Sequence, residues 1–95
     1  MADNSAPKTV WRRVPQACGT VRHFLWIDGR EAPYFIDVSE RIAHRSYGER
    51  IALWGSGMGD EVRRYDGSTY RIAGFLGGFR NLALAKHRAE QVALA

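Results

Sequence analysis

The residue types that most often carry out chemistry are few and widely separated in this chain. The three histidines, His23, His44 and His87, do not stand at the i, i+4 spacing of helical metal ligands, and neither a Cys-x-x-Cys nor a His-Glu-x-x-His motif is present. The single cysteine, Cys18, excludes an intramolecular disulfide framework and a multi-cysteine zinc site. We therefore expect no metal site and no cofactor.

Three further patterns match catalytic or phosphate-binding motifs only in part. Ser56 lies between two glycines, but a nucleophile elbow needs glycines two positions away on either side, where Trp54 and Met58 stand. Gly74-Phe75-Leu76-Gly77 is a G-x-x-G, yet it follows a predicted strand, whereas the clamping loop of KH domains joins two helices. Neighbouring acids lie at turn ends, where nothing positions them for acid–base work. We predict that the chain is not an enzyme.

The pattern with the most chemical content is the interleaving of arginine with aromatic residues. Arginine supplies 12 of the 14 basic residues, and the formal net charge is +4. An arginine fork grips phosphate and stacks on bases, and aromatic rings on a sheet stack bases too. The same residue types also anchor protein interfaces, or simply fill strands and their solvent-facing positions. The candidate binding residues are Arg12, Arg13, Arg22, Phe24, Trp26, Phe35, Arg63, Arg64 and Arg71.

The first element that must position these residues is a hairpin. An Asp-Gly pair between alternating runs is a strong hairpin signal, because a tight turn needs positive φ and glycine supplies it without strain. Asp28-Gly29 therefore predicts that Thr20–Ile27 pairs with Arg30–Val38 across a two-residue turn. That register sets Phe24 opposite Pro33, and the proline indicates that the returning strand is an edge strand there.

The last third of the chain predicts a second hairpin and a helix. Asp66-Gly67-Ser68 separates strands expected at 61–65 and 69–73, joined by a loop of two or four residues. The glycine-rich segment 74–78 is expected to connect the hairpin to a helix that begins at Leu82, with Asn81 as its N-cap. At 3.6 residues per turn, one apolar arc of this helix holds Phe79, Leu82, Ala85, Ala89, Val92 and Ala93.

These elements predict an α+β fold: an antiparallel sheet of four or five strands with one C-terminal helix packed on one face. Further strands are expected at 9–14 and 49–54, and the segment between Ser39 and Arg50 is interpreted as an irregular turn or one helical turn. Residues 1–8 are expected to form a flexible tail and residues 9–95 a single domain. The helix should meet Leu53 and one face of each hairpin, and Leu82→Ala should cost about 2–5 kcal/mol if that site is fully buried.

The first hairpin carries large apolar groups on both faces, whereas one helix covers only one face of a sheet. The aromatic residues left over are Phe24, Trp26 and Phe35. They are available to a partner, to the N-terminal segment around Trp11, or to a second copy of the chain in a homodimer. Arg22 lies on the same face, and we expect Arg12 and Arg13 to adjoin it. These residues favour a non-enzymatic module that binds nucleic acid or a nucleic-acid-containing complex.

The last third of the chain also resembles a class of known proteins. A closing strand and glycines lead into Phe79-Arg80-Asn81-Leu82-Ala83-Leu84-Ala85-Lys86. The stretch resembles small phage- and plasmid-encoded β-hairpin-plus-helix accessory proteins, in which a G-F-x-T-L-x-x-A-K phrase opens the terminal helix and threonine stands at the position of Asn81. The resemblance implies a mobile-element accessory protein, and with it the alternative function of a stoichiometric inhibitor or adaptor, such as an anti-CRISPR, that binds a host protein complex.

The composition also carries an expectation about location. No apolar run approaches the roughly 20 residues that a membrane span needs, and no signal peptide is recognised in the sequence. We expect a cytoplasmic protein without a membrane partner, and a single cysteine fits a reducing compartment.

Overall fold

The computed structural model describes residues 6–39 and 50–95, without the side chain of Cys18. The strands are β1 (Thr9–Pro15), β2 (Thr20–Ile27), β3 (Arg30–Ser39), β4 (Ile51–Gly55), β5 (Glu61–Arg63), β6 (Thr69–Arg71) and β7 (Gly74–Phe79), and the helix is α1 (Leu82–Ala93). Five strands form one antiparallel sheet in the order β1-β2-β3-β4-β7, and β5 pairs with β6 in a separate sheet. The predicted α+β fold is confirmed. The turn predicted after Ser39 falls largely on residues 40–49, which lie outside the described residues.

The first hairpin turns where its sequence predicts. Asp28 and Gly29 have φ values of 51° and 79°, and Ile27 pairs directly with Arg30. Positive φ at both central positions matches the twist of the flanking strands, which is why Asp-Gly is favoured there. The turn also binds Lys8, the residue before β1, whose backbone amide donates a hydrogen bond to Asp28 Oδ1 at 2.9 Å.

The predicted register of this hairpin is wrong beyond its first pairs. Trp26 pairs with Glu31 as expected, but Phe24 lies opposite Phe35 rather than Pro33, because a bulge in β3 shifts the register. A shift of two residues preserves the period of the pleat, so each side chain stays on its predicted face. β3 lies between β2 and β4 in the sheet, but its pairing with β4 includes only Tyr34–Val38, so Pro33 lies just beyond that ladder and within the bulge. The Pro33 carbonyl accepts a hydrogen bond from Ser56 N–H at 2.7 Å.

The glycine-rich segment is a strand and not the predicted connector. β7 pairs with β4 and forms an edge of the main sheet. One reason for glycine here is a close backbone crossing, because a Cβ on Gly74 would lie 2.8 Å from the carbonyl of Met58. A Cβ on Gly59 would likewise lie 2.6 Å from the Ala73 carbonyl oxygen. Because Gly59 and Gly74 have no side chains, the segment that follows β4 can cross in close contact with the segment that leads into β7.

The second hairpin does not join the core as predicted. β5 and β6 pair only with each other, and Arg63 pairs with Thr69, so five residues connect the strands rather than two or four. Asp66 Oδ1 accepts hydrogen bonds from the Ser68 amide and hydroxyl, which closes the turn. We call residues 60–72 the arm; Tyr65 at its tip is fully exposed.

The helix starts and packs as its sequence predicts. The Asn81 side chain accepts a hydrogen bond from the Leu84 amide at 2.9 Å, which satisfies a free first-turn donor. α1 contacts β3, β4 and β7, all through one face of the sheet. Ala85 and Ala89 are fully buried, and their small side chains let the helix approach the strands closely. The buried residues they meet on the sheet are Leu25, Ile36 and Leu53.

A polar contact joins the helix to β1, at the edge of the sheet farthest from β7. The Trp11 indole N–H donates to Glu90 Oε1 at 3.0 Å, and the Lys86 ammonium lies 5.8 Å from the Trp11 ring centre. His23, on the neighbouring strand, is only 7% exposed. Burial, and to a lesser degree the positive charges of Lys86 and Arg13, lower the pKa of His23 below its ordinary value of 6.5.

We expect this buried histidine to make stability depend on pH. In the unfolded chain His23 binds a proton near its ordinary pKa of 6.5, whereas the folded protein holds it neutral to lower pH. As far as His23 determines it, the free energy of unfolding should therefore be highest above about pH 6.5. It should fall as the pH drops from 6.5 towards the lowered pKa of the folded state, because only the unfolded chain binds the proton in this range. Urea melts between about pH 7.5 and pH 5 measure this slope.

His23→Gln should flatten that slope, whereas His87→Gln, on the exposed surface of α1, should leave it unchanged. An unaltered slope in His23→Gln would show that another group causes the acid sensitivity.

Candidate functional site

The sheet has a second face, opposite the helix, and its chemistry is different. In each strand alternate residues point to opposite faces, so the residues beside Leu25, Ile36 and Leu53 point away from α1. We call this the aromatic face. Its aromatic residues, all partly exposed, are Phe24, Trp26, Phe35, Trp54 and Phe75.

Four of these rings form a line across the sheet. Phe24 pairs with Phe35, Phe35 with Trp54, and Trp54 with Phe75, so β2, β3, β4 and β7 each contribute one ring. The ring centres of Phe24 and Phe35 lie 6.1 Å apart, and those of Trp54 and Phe75 lie 5.5 Å apart with an edge-to-face geometry. We call these four residues the aromatic row. With strands about 4.8 Å apart, the row spans about 14 Å.

Two arginines extend this surface by stacking on its rings. The guanidinium carbon of Arg12 lies 4.0 Å from the centre of the Trp26 ring, and that of Arg22 lies 4.4 Å from the centre of the Phe35 ring. The planar guanidinium is attracted to the ring face and adds a flat, cationic layer above it. Arg12 also pairs with Phe24 across β1 and β2, which places it at the end of the aromatic row.

The charges on the aromatic face nearly balance. Arg22 forms a bidentate ion pair with Asp37, with Nε–Oδ1 and Nη2–Oδ2 distances of 2.7 and 3.1 Å. Glu31, opposite Trp26, adds a second acid, and this one is exposed. Arg12 is exposed, so its charge remains accessible to a ligand, while most of the Arg22 charge is offset by its partner.

A pocket of about 390 Å³ opens on this face where β3 bulges. The rings of Phe24 and Phe35 and the side chains of Arg22, Glu31 and Ser56 line it. The bulge is the physical cause, because it separates β3 from the pairing line of β2 between Phe24 and Trp26. This pocket gives the face a depression bordered by two rings of the aromatic row.

The predicted binding residues divide into three groups. The aromatic face brings together Arg12, Arg22, Phe24, Trp26 and Phe35. Arg13 does not join them, because it alternates with Arg12 and lies opposite His23 on the helix side. The arm holds Arg63, Arg64 and Arg71; the Arg64 guanidinium stacks 4.5 Å from the Tyr70 ring centre, and Arg71 Nη1 donates to the Gly59 carbonyl at 3.2 Å.

Trp54 and Phe75 complete the aromatic row and were missing from the predicted set. A signal for Trp54 was present, since a residue next to the core residue Leu53 in a strand must point to the other face. Phe75 gave no such signal, because its glycine-rich surroundings predict a connector. Val10 and Val14, 45% and 40% exposed, also lie on this face, on either side of Arg12.

Residues 6–39 and 50–95 hold neither a cluster of metal ligands nor a membrane-spanning helix. In this part of the chain, no group of three or more His, Cys, Asp or Glu side chains is placed to hold a metal ion. No helix in the same residues is long and apolar enough to cross a membrane.

Comparisons with protein-family models, with curated proteins and with solved structures found no match. The function is therefore inferred from the aromatic face itself.

Proposed function

We propose that the protein is a non-enzymatic module that binds single-stranded nucleic acid on its aromatic face. The observation that carries the proposal is the aromatic row: four partly exposed rings, one from each of four neighbouring strands, with an arginine at its end. Bases of a single strand stack on such rings whatever their sequence, because every base has a π face.

The size of the row sets the number of bases. A sheet surface of about 14 Å suits two or three stacked bases, which is the number that aromatic residues hold on the sheet of an RRM. A duplex would not fit this mode of binding, since its bases are stacked on one another and their faces are not accessible. The protein should therefore prefer single strands over duplexes of the same sequence.

The charges predict that binding depends only moderately on salt. Arg12 offers an accessible cation, whereas Arg22 is already paired with Asp37. If one or two phosphates are neutralised, a plot of log K against log salt should have a slope of about −0.7 to −1.4 for single strands. Stacking rather than phosphate contact then supplies most of the affinity.

Fluorescence anisotropy with labelled ten-nucleotide DNA and RNA strands tests the proposal. We expect saturable binding to single strands, weaker binding to the matching duplexes, and the moderate salt slope. Arg12→Gln should weaken binding and reduce the slope, while Arg88→Gln, on the exposed surface of α1, should change neither. Absence of binding to every strand at low salt would refute the proposal.

A protein partner is the second candidate, and it is favoured by the balanced charge of the aromatic face. Val10 and Val14 extend the apolar surface to β1, which lies at the edge of the sheet among the described residues and can pair with a strand of another chain. An inhibitor or adaptor of mobile-element origin would use such a surface, and so would a homodimer. Light scattering of the purified protein, together with a pull-down performed with and without nuclease, separates these alternatives from nucleic-acid binding.

A further inference from the structure

The pocket beside the aromatic row has opposite hydrogen-bonding character at its two ends. The rings of Phe24 and Phe35 line it, with centres 6.1 Å apart and planes inclined at 41°, and the Arg22 guanidinium covers the Phe35 ring at 4.4 Å. Arg22 precedes Phe24 by two residues in β2, whereas Glu31 pairs with Trp26, two residues beyond Phe24. The Arg22 donors, over Phe35, and the Glu31 carboxylate, opposite Trp26, therefore lie at different positions along the strand direction.

The Arg22 end supplies hydrogen-bond donors. Its Nε and Nη2 groups donate to the two oxygens of Asp37 at 2.7 and 3.1 Å, which fixes the guanidinium plane. An arginine carries five N–H donors, so Nη1 keeps donors for a ligand. A fixed arginine with outward donors is the usual partner of the O6 and N7 acceptors of guanine.

The Glu31 end supplies acceptors only. A carboxylate has two oxygens and accepts two parallel hydrogen bonds. Guanine presents two adjacent donors, N1–H and the 2-amino group, on the edge roughly opposite its O6 and N7 acceptors. Adenine, cytosine and thymine each present a single donor group to such a carboxylate, so guanine fits both ends best.

We infer that this pocket is a guanine-selective subsite of the aromatic face, in which the base stacks on Phe24 beside the Arg22 guanidinium, donates to Glu31 and accepts from Arg22. The inference rests on the proposed binding of single strands, and it adds base selectivity to a surface that otherwise stacks any base. The pocket volume of about 390 Å³ accommodates one purine nucleoside.

The test uses thymidine ten-mers that carry one central guanine, hypoxanthine, adenine or cytosine, measured by fluorescence anisotropy with the full-length chain. The guanine strand should bind about 5- to 100-fold more tightly than the adenine and cytosine strands, which is the range of one bidentate base contact. Hypoxanthine lacks the 2-amino group, so its strand should lose most of this preference.

Glu31→Gln should remove the preference for guanine over hypoxanthine, because the amide offers one acceptor oxygen in place of two. Plain thymidine ten-mers measure separately the gain in affinity that follows from removing a negative charge from this face. Glu61→Gln, which changes another exposed acid, in the arm, is the matched control and should keep the preference. Equal binding of all four strands by the wild-type protein would overturn the guanine subsite while the proposed function stands. Binding of none of them would overturn both.

Discussion

Leu53→Ala is expected to lower the free energy of unfolding by about 2–5 kcal/mol. Leu53 is 1% exposed and lies in β4 between Ile36 and Gly77, directly beneath the helix. The glycine on one side has no side chain to fill the space, so the cavity left by the truncation cannot collapse easily. Denaturant melting followed by circular dichroism measures the loss.

Alanine substitutions of two less buried leucines are the comparison variants for Leu53→Ala. Leu82, in the first turn of α1, is only partly buried, so Leu82→Ala should cost less than Leu53→Ala and fall short of the cost expected for a fully buried site. Leu84 is 50% exposed, and Leu84→Ala should change stability by less than about 0.5 kcal/mol. A loss below about 0.5 kcal/mol for Leu53→Ala itself would show that the helix does not dock on β4.

Trp26→Ala is expected to weaken binding of single strands by about 5- to 150-fold, the value of one stacked base. The ring carries Arg12 at 4.0 Å, so its removal takes away a stacking surface and also frees the guanidinium that extends it. Trp26 is partly exposed on the face away from α1, so the free energy of unfolding should stay near that of the wild type.

Tyr65→Ala is the matched control for the loss of an aromatic ring, because Tyr65 is fully exposed at the tip of the arm. It should leave affinity unchanged. If Trp26→Ala unfolds the protein, the residue belongs to a core. If Tyr65→Ala instead weakens binding, the arm with Arg63, Arg64 and Arg71 is the contact surface.

The sequence predicts the parts of this fold that depend on local signals. The Asp28-Gly29 turn, the Asn81 cap and the apolar arc of α1 each follow from the conformational preference of a few neighbouring residues. The assignment of Phe24 to the face away from the helix also follows locally, because the pleat has a period of two.

Non-local geometry accounts for the errors. The bulge in β3 depends on how Pro33 fits between two neighbouring strands, so the hairpin alone does not reveal it. β7 is a strand in spite of its glycines because β4 offers it a pairing edge and because Gly74 and Gly59 allow a close backbone crossing. At β7 local preference favours a loop, and tertiary pairing overrides it.

The sequence predicts some residues of the candidate site but not how far the site reaches across the sheet. Alternation identifies Phe24, Trp26 and Phe35, yet the aromatic row exists only because the strand order places Trp54 and Phe75 next to them. Arg13 was predicted to belong to the site but does not, because it alternates with Arg12 along β1 and lies on the helix side of the sheet.

The central claim is that nucleic acid binds the aromatic face, and the three tryptophans test it directly. Trp26 and Trp54 lie on that face, whereas Trp11 lies on the helix side with its indole N–H bonded to Glu90. In a ¹H–¹⁵N NMR titration with a single-stranded ten-mer, the indole signals of Trp26 and Trp54 should shift progressively while that of Trp11 stays in place. A shift of the Trp11 signal alone, or no shift of any of the three at saturating strand, would contradict the account.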